Sequence, residues 1–144
     1  GIEAKRLILE ITETMVMEDL IKGREALLAL RDVGVSLAID DFGAGYSSLT
    51  YLQHLPLDSL KIDKSLIDGM VDERAIHVVA SVIRLAQGLS LKTIAEGVET
   101  EEQRALIGRL GCDMIQGYLL SRPLPLSAIV HWLNERRSRD VASS

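Results

Sequence analysis

Short apolar runs along this chain alternate with longer stretches in which apolar residues return every three or four positions. The runs read as strands and the longer stretches as helices. Leu7 to Ile11 is the first expected strand, followed by a helix from Asp19 to Asp32 that stops at Gly34. Val35 to Ile39 is the second strand. A Gly/Ser-rich turn from Phe42 to Ser48 leads into a short helix ending near Leu55-Pro56. Ser59 to Asp63 is the third strand. Glu73 to Gln87 is the clearest helix, with Ile76, Val79, Ala80, Ile83 and Ala86 at helical spacing and Gly88 in the place of a C′ residue. Leu91 to Glu96 is the fourth strand. Thr100 to Leu110 is a helix whose Thr100 and Gln103 make a capping-box pattern. Asp113 to Gly117 is the fifth strand, and a last helix runs from Leu126 to Arg136. Residues 138–144 read as a polar, frayed tail.

Five βα units in regular alternation predict an α/β fold with a parallel sheet covered by helices. Open doubly wound sheets and closed barrels both fit the pattern. Each unit takes about 29 residues, close to one-eighth of a (β/α)₈ barrel of roughly 250 residues.

Side chains alternate across a strand with period two. Leu7, Leu9 and Ile11 share a face, opposite Ile8 and Glu10. Val35, Leu37 and Ile39 oppose Ser36, Ala38 and Asp40. Leu60 and Ile62 oppose Ser59, Lys61 and Asp63. Ile94 lies with Glu96, and Met114 with Gln116. The bulky sets would pack under helices, and the other face would point into a barrel or crevice. Parallel strands gather their C-terminal ends, so Glu10, Asp40, Asp41, Lys61, Asp63, Glu96 and Gln116 should converge where active sites of such folds lie.

Clustered carboxylates repel unless they are protonated or bridged by cations. With no convergent Cys or His, hard oxygen ligands favour Mg²⁺, Mn²⁺ or Ca²⁺. A lysine among them can position a phosphoryl oxygen, so the set suits two-metal phosphodiester hydrolysis. Each residue also has a bland reading: Asp40 and Asp41 as turn caps, Lys61 in a structural ion pair, Gln116 satisfying backbone.

Composition narrows the partners. The 144 residues carry net charge −5 with pI near 5.2, and aromatics are only 3%. Neither a basic DNA or RNA surface nor a stacking platform for single strands is expected. No apolar run is long enough to span a bilayer. Cys112 stands alone, as suits a reducing, cytoplasmic setting, and reads as a small core hydrophobe. His54, His77 and His131 fall on or near helices, in structural or surface roles.

The polar positions sit within longer blocks. These are Leu9-Glu10-Ile11-Thr12-Glu13, Asp40-Asp41-Phe42-Gly43-Ala44-Gly45-Tyr46-Ser47-Ser48-Leu49, Lys61-Ile62-Asp63, Ala95-Glu96-Gly97-Val98-Glu99-Thr100 and Gln116-Gly117-Tyr118, followed by Ser121-Arg122-Pro123. In order and spacing they closely resemble the EAL-domain family, phosphodiesterases of the bacterial second messenger cyclic di-GMP. The resemblance implies a TIM-like barrel and opening of cyclic di-GMP to linear pGpG with Mg²⁺ or Mn²⁺. It implies that Glu10 and Asp40 are metal ligands, with Asp41 and Asp63 at the second metal. Lys61 would hold the hydrolytic water or a phosphate oxygen. Glu96 would be the general base or a further metal-site carboxylate, with Glu99 its neighbour. Gln116 would orient the network or the substrate. Glu13 would anchor the Asp-Asp-Phe-Gly loop, a segment that couples dimer contacts to metal binding in the family. A homo-oligomer is expected, and sensor, cyclase or membrane-anchoring segments can accompany such domains.

There are departures. Glu25-Ala26-Leu27 spells the family's name but lies within a helix and after the Leu-Glu-Ile-Thr-Glu block. It reads as a coincidence, with the true motif and an Asn ligand expected upstream of Gly1. Leu66 stands where the family usually has Phe. Five units are about 60% of an eight-unit barrel, so residues 1–137 read as the C-terminal part of an EAL domain. Such a piece is expected to be inactive alone and to self-associate through exposed strands. Two other readings stand beside the phosphodiesterase. One is a degenerate EAL domain acting as a cyclic di-GMP receptor or interaction module. The other is an unrelated open-sheet α/β protein, for which Gly43-Ala44-Gly45 follows a strand but Ser48 holds the third glycine position of a dinucleotide fingerprint.

Overall fold

The strands come out in sequence order and side by side. A computed structural model describes residues 1–12, 15, 20–43 and 52–142. A 3-10 turn at Ala4–Arg6 precedes β1 (Ile8–Thr12), α1 (Leu20–Val33), β2 (Ser36–Phe42) and β3 (Ser59–Ile62). Then come α2 (Lys64–Asp68), α3 (Glu73–Gly88), β4 (Lys92–Ala95), α4 (Glu101–Leu110), β5 (Met114–Ile115) and α5 (Leu126–Ala142). All four pairings are parallel in the order β1-β2-β3-β4-β5. A doubly wound sheet reverses its winding at a switch point. This sheet does not, so its helices gather on one face, as in a (β/α)₈ barrel. The α/β expectation holds, and the choice left open by periodicity falls to the barrel type of winding.

The two faces follow the predicted alternation. Leu37, Ile39, Leu60 and Ile62 are fully buried, and they share a core with Leu27 of α1, Val79 and Ile83 of α3, and Ile107 of α4. Each such branched side chain contributes roughly 1.5–3 kcal/mol by leaving water. The opposite face carries Glu10, Ala38, Lys61 and Ile94, as the registers of Glu10 with Ala38 and of Lys61 with Ile94 require.

Local signals explain the helix ends. Asp72 caps α3 by accepting from the Ala75 N–H, and Thr100 and Gln103 form the predicted capping box of α4. Gly88, expected beyond the helix, is instead its last residue. The left-handed position is Ser90, with φ 60°. The last helix continues past Arg136 to Ala142, because no Gly or Pro follows to stop it. The short α2 lies inside a stretch that reads as a connection, capped by Asp63. Glu25-Ala26-Leu27 lies on α1, with Glu25 exposed and Leu27 in the core, as its helical reading requires.

The N-terminal edge of the sheet carries a clasp that is used twice. Asp58, just before β3, accepts the Leu37 N–H at 2.8 Å through Oδ2. Asp113, just before β5, accepts the Thr93 N–H and Oγ1–H, each at 2.9 Å. Thr93 Oγ1 in turn accepts from the Asp113 N–H. These bonds hold the Asp113 carboxyl below the usual aspartate range, the backbone bond from Thr93 most of all.

Candidate metal and phosphodiester site

Strict alternation would send Asp41 to the face opposite Asp40. A register shift prevents this: Ile39 pairs with Leu60 and Phe42 with Ile62, so β2 spends one more residue than β3 over the same span. The extra residue makes a bulge. Asp41 takes a left-handed conformation there, with φ 55°, and its N–H donates to Asp40 Oδ1. Both aspartates thereby reach one site. Gly43, with φ 101°, ends the strand, and a Cβ there would run into Leu66. Leu66 thus closes against the Gly43 backbone.

Lys61 stands at the centre. It is 3% exposed, and its Nζ lies 2.6 Å from Glu96 Oε1, 2.7 Å from Glu10 Oε2 and 2.9 Å from Asp40 Oδ1. Three ammonium donors meet three carboxylates from three neighbouring elements. Burial acts to lower the Lys61 pKa, but the bonds to Glu10, Glu96 and Asp40 override it and raise the value above the usual lysine range. The lysine is therefore a fixed positive charge and not a proton donor near neutral pH.

Asp40, Asp41 and Glu96 can each offer a carboxylate oxygen within 4.8 Å of the others. Anionic oxygens with no sulfur or imidazole among them suit hard divalent cations, so these residues fit such an ion. Glu10 joins the group through Lys61. The turn after β4 holds Glu96 by backbone bonds: its N–H donates to Ile62 O, and Gln116 N–H donates to Ala95 O.

Glu96, Glu99 and Gln116 line a pocket of about 270 Å³, together with Lys64, Gly97, Gly117 and Tyr118. Val98 N–H donates to Gln116 O, and Leu119 N–H donates to Val98 O, so the two turns interlock. Gly117 is required there, since a Cβ would meet the Val98 backbone, with its carbonyl carbon at 2.8 Å and other atoms nearer. The Arg122 guanidinium lies 4.6 Å over the Tyr118 ring at the rim.

Asp63 is placed differently from the cluster. Its Oδ1 accepts from the Ser65 N–H at 2.9 Å and from the Ser65 hydroxyl, and these bonds lower its pKa. Glu13 and the segment 44–51 lie outside the described residues. His54, His77 and His131 are all exposed.

Sequence reasoning passed over Lys64. Its Nζ lies 2.8 Å from Glu99 Oε1 and 3.1 Å from Asp68 Oδ2. Asp68 is legible at helical i, i+4 spacing, whereas Glu99 lies 35 residues away and gives no local signal.

The EAL domain family model matches residues 1–123. Cyclic di-GMP phosphodiesterase NbdA of Pseudomonas aeruginosa is 48% identical over 138 residues, 95% of this chain and 18% of NbdA. The chain thus spans about a fifth of that relative. Among solved structures, the PaMucR phosphodiesterase in complex with c-di-GMP superposes with TM-score 0.85 at 44% identity, covering 89% of this chain and 52% of that one. Klebsiella pneumoniae BlrP1, solved as a manganese and cy-diGMP complex, gives TM-score 0.79 at 40% identity, covering 85% and 32%. Among the described residues, no helix is long and apolar enough to cross a membrane.

Proposed function

Because this chain belongs to the EAL domain family, we propose that it supplies catalytic and metal-binding residues of a phosphodiesterase that hydrolyses cyclic di-GMP to linear pGpG. The observation that carries this reading is the gathering of Asp40, Asp41 and Glu96 beside the buried Lys61. Asp40, Asp41 and Glu10 would hold Mg²⁺ or Mn²⁺, with Asp63 completing the second metal site. Such ions lower the pKa of an attacking water and offset charge on the phosphate.

The protein groups then have distinct roles. Lys61, releasing one of its three carboxylate partners as that partner turns to the ion, donates to the water or to a phosphate oxygen, and its raised pKa keeps it charged throughout. Glu96 accepts the proton that the water loses, or shares in holding the metal. The water oxygen joins phosphorus, and the bond from phosphorus to the 3′ oxygen breaks, that oxygen taking up a proton from solvent to leave as the 3′ hydroxyl. Gln116 and Glu99, on the pocket wall, orient the substrate. Glu13 anchors the loop after Asp41. The working enzyme is a homo-oligomer in a reducing, cytoplasmic compartment, a setting that fits lone Cys112. Sensor or cyclase segments accompany it elsewhere in the natural protein.

The test is chromatography of cyclic di-GMP incubated with the full-length protein and Mn²⁺. Accumulation of pGpG, lost in Glu96→Gln, is the expected result. Tight binding of cyclic di-GMP with no product would assign a receptor instead.

A further inference from the structure

Lys64 sits in the first turn of α2, one residue after the cap Asp63, and reaches across to the turn that follows β4. Its stem lies against Gly97. A Cβ at Gly97 would stand 2.6 Å from Lys64 Cδ and 2.8 Å from Lys64 Cβ, and closer still to Cγ. Gly97 has φ 66°, a conformation that disfavours a side chain, so backbone and stem pack directly on one another. The residue before Gly97 is Glu96, and the far side of the turn is braced by the Glu99 N–H donating to Gln103 Oε1 at 2.8 Å.

Two contacts therefore tie the turn after β4 to the stretch that runs from the end of β3 into α2. Lys61 meets Glu96 in the buried cluster, and Lys64 meets Gly97 and Glu99 farther out, on the open pocket wall. The inner contact is buried. The outer ion pair is about half exposed on both partners, where water screens charge and such pairs contribute little. The stem, packed on the Gly97 backbone, is the part of Lys64 that can fix the turn.

We propose that Lys64 is a positioning residue whose aliphatic stem, rather than its charge, holds the Gly97 turn and so sets Glu96 against Lys61. The proposal rests on the phosphodiesterase reading for its consequence in turnover. It is tested in the full-length protein with Lys64→Met, which keeps a stem without charge, and Lys64→Ala, which removes both. The readouts are kcat and KM for cyclic di-GMP, Mn²⁺ affinity by calorimetry, and melting temperature.

The Ala variant should lose about tenfold or more in kcat, with a smaller change in KM, since small misplacements of a reacting group cost up to about a hundredfold. Its Mn²⁺ affinity should fall in step. The Met variant should recover most of both. Equal losses in Met and Ala would assign the effect to charge and overturn the proposal, as would no loss in either. An Ala variant with no melting transition would give the stem a general structural role and overturn it as well. If the unsubstituted protein binds Mn²⁺ but makes no pGpG, the phosphodiesterase reading fails, and the Mn²⁺ affinities of the two variants still decide on Lys64. If it does neither, both fail.

Discussion

The Lys61 ammonium lies 2.6 Å from the Glu96 carboxylate and ties the end of β3 to the turn after β4. That contact is one of three made by a single buried cation. Lys61→Met should therefore leave Glu10, Asp40 and Glu96 facing each other with no positive charge between them. Turnover of cyclic di-GMP by the full-length protein should drop by about 10²-fold or more at saturating substrate, the scale of losing one preorganised donor. Steady-state kinetics check this, and a variant within a few-fold of the parent would remove Lys61 from the chemistry.

Asp40 and Asp41 make a second, separable prediction. The bulge places both carboxylates at one site, so each should matter to cation binding although they are adjacent in sequence. Asp41→Asn keeps the size and can keep the left-handed backbone, which Asn tolerates. Its Mn²⁺ dissociation constant should rise by at least about 10–100-fold, the range reported when even supporting partners of a ligand are lost. Calorimetry reads it. Unchanged affinity would mean that Asp41 serves the turn and not the metal.

How far the site was legible depended on what sets each residue's place. Glu10, Lys61 and Glu96 could be put at one edge because a strand imposes period two on its own residues. The partner of Lys64 could not, since it lies on another turn and only the packed fold brings it near. The bulge at Asp41 was hidden for a related reason: a register shift is a property of β2 against β3, and β2 alone does not encode it. The winding followed the same rule. Alternation of strands and helices left two sheets open, and the pairing of β1 through β5 in order decided between them. At the end of α5 nothing in the sequence marks a stop after Arg136, and the helix continues.

The two aspartate clasps concern stability. Thr93 is fully buried, and both its N–H and its hydroxyl donate to Asp113. Asp113→Ala would strand them at a cost of about 1–3 kcal/mol. Denaturant titration measures this. The same bonds predict a pH dependence. The folded-state pKa of Asp113 lies below its unfolded value of about 3.9. The unfolded chain therefore takes up the proton first as pH falls. The stabilisation is complete above that unfolded value and is lost as pH drops through the folded one. Unfolding curves from neutral to acid pH should show a loss below about pH 4 that is smaller in Asp113→Ala. Parallel curves for the two proteins would contradict the assignment.

The last prediction concerns the edge of the sheet. β1 presents Ile8 at 56% exposure, with Leu7 and Leu9 also exposed beside it, and β5 at the other edge exposes Met114. Apolar side chains and unpaired backbone groups on an edge strand are a template for further pairing. The 144-residue chain by itself should therefore associate, its mass by light scattering rising with concentration. Ile8 shares a face with Glu10, so a charge there lies on the exposed inner surface and disturbs no helix contact. Ile8→Lys should weaken the association by removing apolar area and adding a charge to the edge. A monomer at every concentration would show that the exposed edge does not drive pairing. Association unchanged by Ile8→Lys would move the contact to another surface, with the apolar side of α5 at Leu126 and Val130 the next to substitute.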